Sequence, residues 1–239
     1  VLARNEETTI ARALGSLPPG MRIFVLDADS TDETARVAAA AGARVERRSW
    51  AGFLNARRYA LSRVETPWTF MLDADEVLDD RLARAMIEAP EDVDGYVVRR
   101  TTWFCGRPIR RWTGEPLLRM FRTDRARLEQ NPESGGTGEV HERWVVDGPL
   151  GELAGSLDHY SYPTVESYRR KFEEYTSLEA RGLPTSPLLL AFAVVRGIAR
   201  FGGHVLLRGM LLDGWRGVYL GFWSEMYPVV AHLKARRLR

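Results

Sequence analysis

The chain has 239 residues, enough for one large domain or two small ones with a core of useful size. A formal net charge of +2 makes no overall demand for nucleic acid, so the arginines matter through where they cluster. One cysteine, Cys105, excludes an internal disulfide framework and suits a reducing compartment.

Residues 1–3 read as the remnant of a first strand. The chain opens at Val1 without an initiator methionine or the basic-then-apolar leader of a signal peptide, so a processed or truncated start is expected. Ile10, Leu14 and Leu17 lie at helical spacing within residues 7–17, and Pro18, Pro19 and Gly20 stop that run. Residues 22–27 form a second strand ending on Asp27. Ser30, Thr31, Asp32 and Glu33 then start a helix over 34–41, which Gly42 closes. Residues 44–46 are a short strand, 55–64 a helix, and 68–72 an apolar strand that runs straight into Asp73, Ala74, Asp75 and Glu76. Asp79 and Asp80 are explained as caps of a helix over 81–89, where acids complement the positive helix end. Asp73 and Asp75 come several residues too early for that role.

Short strands alternating with helices predict a parallel α/β sheet. Three strand ends fall beside polar groups: Arg4-Asn5-Glu6, Asp27-Ala28-Asp29 and Asp73-Ala74-Asp75. Ligands of open parallel sheets bind outside the carboxyl ends of the strands, so the three clusters are expected to meet at one cleft. Two carboxylates spaced i, i+2 at such an end can hold a divalent cation against a phosphate.

Beyond Gly95 the pattern changes to short strands, such as 96–102 and 117–122, with a glycine-rich loop over 134–138, and reads as a mixed extension of the sheet. Residues 164–180 return to helix, with Tyr168, Phe172 and Tyr175 on one face. The tail from Pro187 differs in kind. Its apolar run over 188–195 is interrupted by Arg196 long before the roughly 20 residues that a membrane span requires. Arg196, Arg200, His204 and Arg208 recur every four residues, a basic stripe expected to reach anionic head groups from helices lying in a membrane interface. Two amphipathic helices packed on the catalytic domain or on another subunit are the alternative. Trp103, Trp112 and Trp144 are assigned to the core in preference to sugar stacking.

In order, Asn5-Glu6-Glu7, the 27–32 segment and Leu72-Asp73-Ala74-Asp75-Glu76 resemble the family 2 glycosyltransferases of GT-A fold. Gly52-Phe53, Ala60-Leu61, Gly106-Arg107, Arg119 to Arg122 and Val140-His141-Glu142 extend the resemblance toward the bacterial branch that adds sugars to the lipopolysaccharide inner core. The resemblance implies an α/β, Rossmann-like mixed sheet flanked by helices. A catalytic domain over 1–163 would be followed by a helical region over 164–239 that associates with a membrane or a partner. It implies Mg²⁺ or Mn²⁺ held chiefly by Asp75 with Asp73 as neighbour, and base and ribose contacts from Asn5, Glu6, Asp27, Asp29 and Asp73. Arg57 matches a basic position and becomes a diphosphate contact. Two departures bear on these contacts: Asp27-Ala28-Asp29-Ser30 stands where the family usually reads Asp-Ser or Asp-Gly-Ser, and Arg58 replaces the Asn that follows the basic residue.

An acceptor hydroxyl attacks well only once its proton is taken. In an extended 139–142 segment Glu139 and His141 share one face and Glu142 the other. The family pattern favours Glu142 as base, with His141 as a third metal ligand or phosphate contact. His159, between Asp158 and Tyr160, is expected to be structural. The expected activity is inverting, metal-dependent transfer from a nucleotide-diphosphate sugar to a saccharide or glycolipid of the cell envelope. The expected location is the inner face of the bacterial cytoplasmic membrane. Alternatives are transfer to a polyprenyl phosphate, which is already ionised and needs no base, and a non-catalytic nucleotide-sugar-binding module.

Overall fold

A computed structural model describes residues 1–50, 52–130, 142–207 and 209–238, without the side chains of 130, 142 and 205–207. It opens with β1 (Leu2–Ala3), α1 (Ile10–Gly15), β2 (Phe24–Asp27), α2 (Thr34–Ala40), β3 (Arg44–Arg47), α3 (Phe53–Ser62) and β4 (Trp68–Phe70). β5 (Glu76–Leu78), α4 (Asp80–Ile87), β6 (Gly95–Phe104), β7 (Arg107–Arg122), β8 (Ala126–Gln130), β9 (Glu142–Val146), β10 (Leu150–Glu152) and β11 (Leu157–Tyr162) follow. The chain ends in helices α5 (Val165–Ala180), α6 (Pro187–Leu207) and α7 (Gly214–Arg237), with a 3-10 turn at Met210–Asp213 between the last two. The α/β class expected from the sequence is observed.

The chain divides into two compact units. The first comprises Val1–Thr101, Gly114–Gln130 and Glu142–Tyr160; the described part of the second comprises Thr102–Thr113 and Ser161 onward. In the first unit β1, β2 and β3 form a parallel sheet in that order, with Leu2 opposite Leu26 and Ala3 opposite Asp27. A second sheet runs β4-β7-β6-β11-β5, with β10 on β6, and its β4–β7 and β5–β11 pairs are antiparallel. A lone parallel bridge between Leu2 and Asp73 ties β1 to the end of β4, so the acidic turn lies beside the mouth of the parallel sheet.

Helical periodicity explains how this layer is held. Ile10, Ala13 and Leu14 put one buried face of α1 onto the sheet, and Leu82 and Met86 do the same for α4. α4 starts as its sequence predicts: the Asp79 carboxylate accepts the Leu82 N–H at 2.7 Å and the Ser156 N–H at 2.9 Å. Gly42, at φ +84°, ends the α2 segment in a conformation that side-chain-bearing residues avoid. Trp144, half-buried, packs on the buried Phe121 with ring centroids 4.8 Å apart.

In the second unit Phe104, Ile109, Tyr168 and Leu220 form a core, against which Trp112, Phe172, Tyr219 and Trp223 pack. The tip of the β6–β7 hairpin, Cys105-Gly106, turns with both residues at positive φ, the geometry of a two-residue hairpin loop. The basic stripe expected on the tail does not face outward as a whole. Arg200 Nε and His204 Nδ1 each lie 2.8 Å from the buried Glu225 of α7, so two of its four members turn toward the neighbouring helix. Arg208 lies outside the described residues. Among the described residues no helix is long and apolar enough to cross a membrane.

Candidate active site

The loops after β1 and β2 are stitched together. Asp27, fully buried, accepts the Ser30 N–H at 3.1 Å and the Ser30 hydroxyl, and Arg47 Nε lies 3.1 Å from its other oxygen. Ser30 Oγ in turn accepts the Asn5 N–H at 2.9 Å, while Asn5 Oδ1 accepts the Thr31 N–H at 2.9 Å. The Glu6 N–H donates to Thr34 Oγ1 at 2.7 Å, and the Glu6 carboxylate accepts the Thr9 hydroxyl at 2.7 Å. Asn5 and Asp29 sit at φ 56° and 54°, left-handed conformations that short polar side chains tolerate best among non-glycine residues. Asp27 therefore organises the loop from within, and Asp29 is exposed at its surface.

The turn after β4 is denser in charge. Asp73 is held by Arg57 Nη2 at 3.0 Å on one oxygen and by Arg119 Nη2 at 3.1 Å on the other. Burial alone would raise its carboxyl pKa, but Arg57 and then Arg119 outweigh that cost and hold it at about 2. Glu76 closes the turn: its Oε2 accepts the Asp73 N–H at 2.9 Å, its own N–H donates to the Asp73 carbonyl at 3.0 Å, and its Oε1 lies 2.5 Å from Arg119. Burial pushes the Glu76 carboxyl up against the pull of that guanidinium.

Asp75 points to a different neighbour. His159 Nε2 lies 3.4 Å from its Oδ1, and the Tyr160 N–H donates to its carbonyl at 2.8 Å. The antiparallel pairing of β11 with β5, which sets His159 opposite Glu76, brings the imidazole to this turn. Tyr160 does bond to Asp158, at 3.4 Å, as the sequence suggested, but His159 leaves that network for Asp75. No sequence signal links residues more than eighty positions apart, so this pair was invisible before the register was known.

Among the described residues no group of three or more His, Cys, Asp or Glu side chains forms a metal cage. The donor chemistry nevertheless suits Mg²⁺ or Mn²⁺, which are commonly held by one or two carboxylates plus substrate phosphates, without an all-protein cage. Asp75 supplies such a carboxylate, and the adjacent His159 has a buried Nδ1 without a hydrogen-bond partner among the described residues. Asp73, fixed by two arginines, is placed to shape the turn. The expected base, Glu142, begins β9 but its side chain lies outside the described residues, as does His141 entirely. A cavity of about 360 Å³ lies under β1 and β4, lined by Leu17, Phe24, Leu61, Trp68 and Phe70; it shares Arg57 with the acidic turn but is mainly apolar.

A parallel strand ending on Asp27, beside an Asp-x-Asp turn whose first acid is gripped by two arginines, gives this α/β protein a charged, polar edge. Residues 1–141 match the profile of glycosyl transferase family 2, and the chain belongs to that family. It is 28% identical over 194 residues to the lipopolysaccharide core biosynthesis glycosyltransferase LpsC of Rhizobium meliloti, covering 75% of this chain and 68% of that protein. It is 34% identical over 198 residues to an uncharacterized glycosyltransferase of Rickettsia prowazekii, covering 77% and 66%. The chain thus spans about two thirds of the length of these relatives. Among solved structures, glucosyl-3-phosphoglycerate synthase from Mycobacterium tuberculosis, in complex with Mn²⁺ and UDP-glucose, is 24% identical over 43% of this chain and 42% of that one, with a TM-score of 0.36.

Proposed function

We propose that the chain transfers a sugar, with inversion, from a nucleotide-diphosphate donor to a saccharide of a cell-envelope glycolipid, at the cytoplasmic face of the membrane. The observation that carries this reading is the division of labour at the acidic turn: Asp73 is locked between Arg57 and Arg119, while Asp75 stands with His159. Membership of family 2 and similarity to LpsC support the reaction class and the envelope acceptor.

Asn5, Glu6 and Asp29 form the rim that would receive the nucleoside, with Asp27 ordering it from within, and their cross-bonded loops fix its backbone. Arg57, pinned on Asp73 at the edge of the turn, carries positive charge toward the diphosphate. Mg²⁺ or Mn²⁺ on Asp75, with Asp73 as its neighbour, would supply charge stabilisation for the departing diphosphate. Glu142 is assigned to take the acceptor proton, and His141 to contact the donor phosphates.

The test is release of nucleoside diphosphate from a panel of sugar nucleotides, with Mn²⁺ or with chelator, for the natural chain and for Asp75→Ala. Metal-dependent release from one donor, reduced about a hundredfold or more in the variant, is expected. Release that is indifferent to both chelator and Asp75→Ala would overturn the metal assignment. Absence of release with every donor, even after core saccharide is added, would overturn the transferase reading.

A further inference from the structure

The outer helix of the second unit is apolar on both its sides, and a helix of that kind needs cover all round. α7 covers one side. A Cβ added to Gly197 would come within 2.6 Å of Met226 Cε and 2.8 Å of the Glu225 carbonyl oxygen, so the two helices touch through their backbones there. His204 and Arg200 secure the same edge on Glu225. The opposite side is bare: Leu188, Phe192, Val195 and Ile198 are 80%, 64%, 68% and 63% exposed. Their spacing of four, three and three residues sets them on one face. The apolar surface continues in the turn that follows, where Leu211, Leu212 and Trp215 are also exposed.

Charge narrows what can sit there. Residues 181–212 contain no aspartate or glutamate, and Arg196, exposed and four positions from Phe192, lies at the margin of the face. The next acid, Asp213, is drawn away to accept the Arg110 N–H at 3.0 Å. An apolar face edged by arginine and free of acid matches an anionic lipid surface, and an exposed tryptophan suits the headgroup level of such a surface. A second copy of this chain fits it poorly, because an isologous contact sets the acid-free, arginine-bearing stretch against itself.

We propose that this face of α6 and the following turn docks on a bilayer containing anionic lipid, with Leu188, Phe192, Val195 and Ile198 in the acyl boundary and Arg196 at the headgroups. The helices lie along the surface. The inference relies on the proposed function only for its purpose, which is to bring the enzyme to a lipid-carried acceptor.

The experiment is co-sedimentation of the full chain with vesicles of phosphatidylcholine alone and of equal parts phosphatidylcholine and phosphatidylglycerol. The comparison variant is Phe192→Ser/Val195→Ser/Ile198→Ser, whose three sites are exposed and whose melting temperature is checked against the natural chain. Binding to the mixed vesicles, weaker on phosphatidylcholine and reduced about tenfold or more in the variant, is expected. Equal binding by both proteins, or no binding by either, would overturn the proposal. So would a dimer of the natural chain that the variant converts to monomer while vesicle binding stays the same. Nucleoside diphosphate release, measured without vesicles, is expected to be equal in the two proteins. A failed donor assignment therefore shows as no release from either, and a failed lipid assignment as equal sedimentation.

Discussion

The first unit buries Glu76 against Arg119 at 2.5 Å with Arg100 at 3.7 Å, whereas the second buries Glu225 between Arg200 and His204, each at 2.8 Å. The two carboxylates resemble each other in burial and partners but differ in what the partners share. Arg119 serves Glu76 and Asp73 at once, so the buried charge is wired to a carboxylate at the rim of the site. The nearest cations on Glu225 belong to the helix they fasten, with Arg111 of β7 at 3.7 Å, and among the described residues none of them is shared with a second carboxylate at the site; the opposite side of that helix is left apolar. A buried ion pair is weak evidence for stability in itself. Its value here lies in geometry: an acidic turn held in one conformation in one unit, a helix pair fixed in register in the other.

The largest effect is expected from Arg119→Met, which strips a fully buried glutamate and Asp73 of their common guanidinium. A loss of about 3–5 kcal/mol in urea unfolding is expected, because an uncompensated buried charge remains. A loss below about 1 kcal/mol would show that the cluster is solvated and that Glu76 is no counterpart of Glu225.

Acid sharpens the difference. The Asp73 carboxyl, held at about 2 in the folded chain, lies below the ordinary aspartate value of about 3.9 that the unfolded chain presents. Its contribution is therefore complete above about pH 5 and is lost as the pH falls through about 2, a change of roughly 2–3 kcal/mol. Asp73→Asn should flatten that acid limb in a pH series of unfolding curves. An unchanged limb would place the acid sensitivity elsewhere.

The smallest effect is expected from Glu225→Gln, at about 1–2 kcal/mol, since Arg200 is 46% exposed and its pairing is screened by water. Hydrogen exchange should quicken along α6 while the first unit is unchanged. Faster exchange in both units would mean that Glu225 is not a local fastener.

The strand-ending acids, the Asp79 cap and the glycine stop after α2 were legible in the sequence, because each depends on neighbours within a few residues. β7 was not: sequence reading found only residues 117–122 of its full Arg107–Arg122 span. Gly114, at φ +78°, and Pro116 interrupt the alternation, yet they leave the strand continuous. The Asp75–His159 pair and the inward turn of Arg200 and His204 depend on register and on helix pairing. A four-residue spacing shows which residues share a face, but it does not show whether that face meets water or another helix.

Asn5 and Asp29 hold left-handed backbone without being glycine, and Asn5 is bonded across to Ser30 and Thr31. Under the proposed function, a nucleotide seating on that edge would meet peptide groups whose orientation is already set. Calorimetry of nucleotide binding should then lack the large unfavourable entropy that accompanies loop ordering.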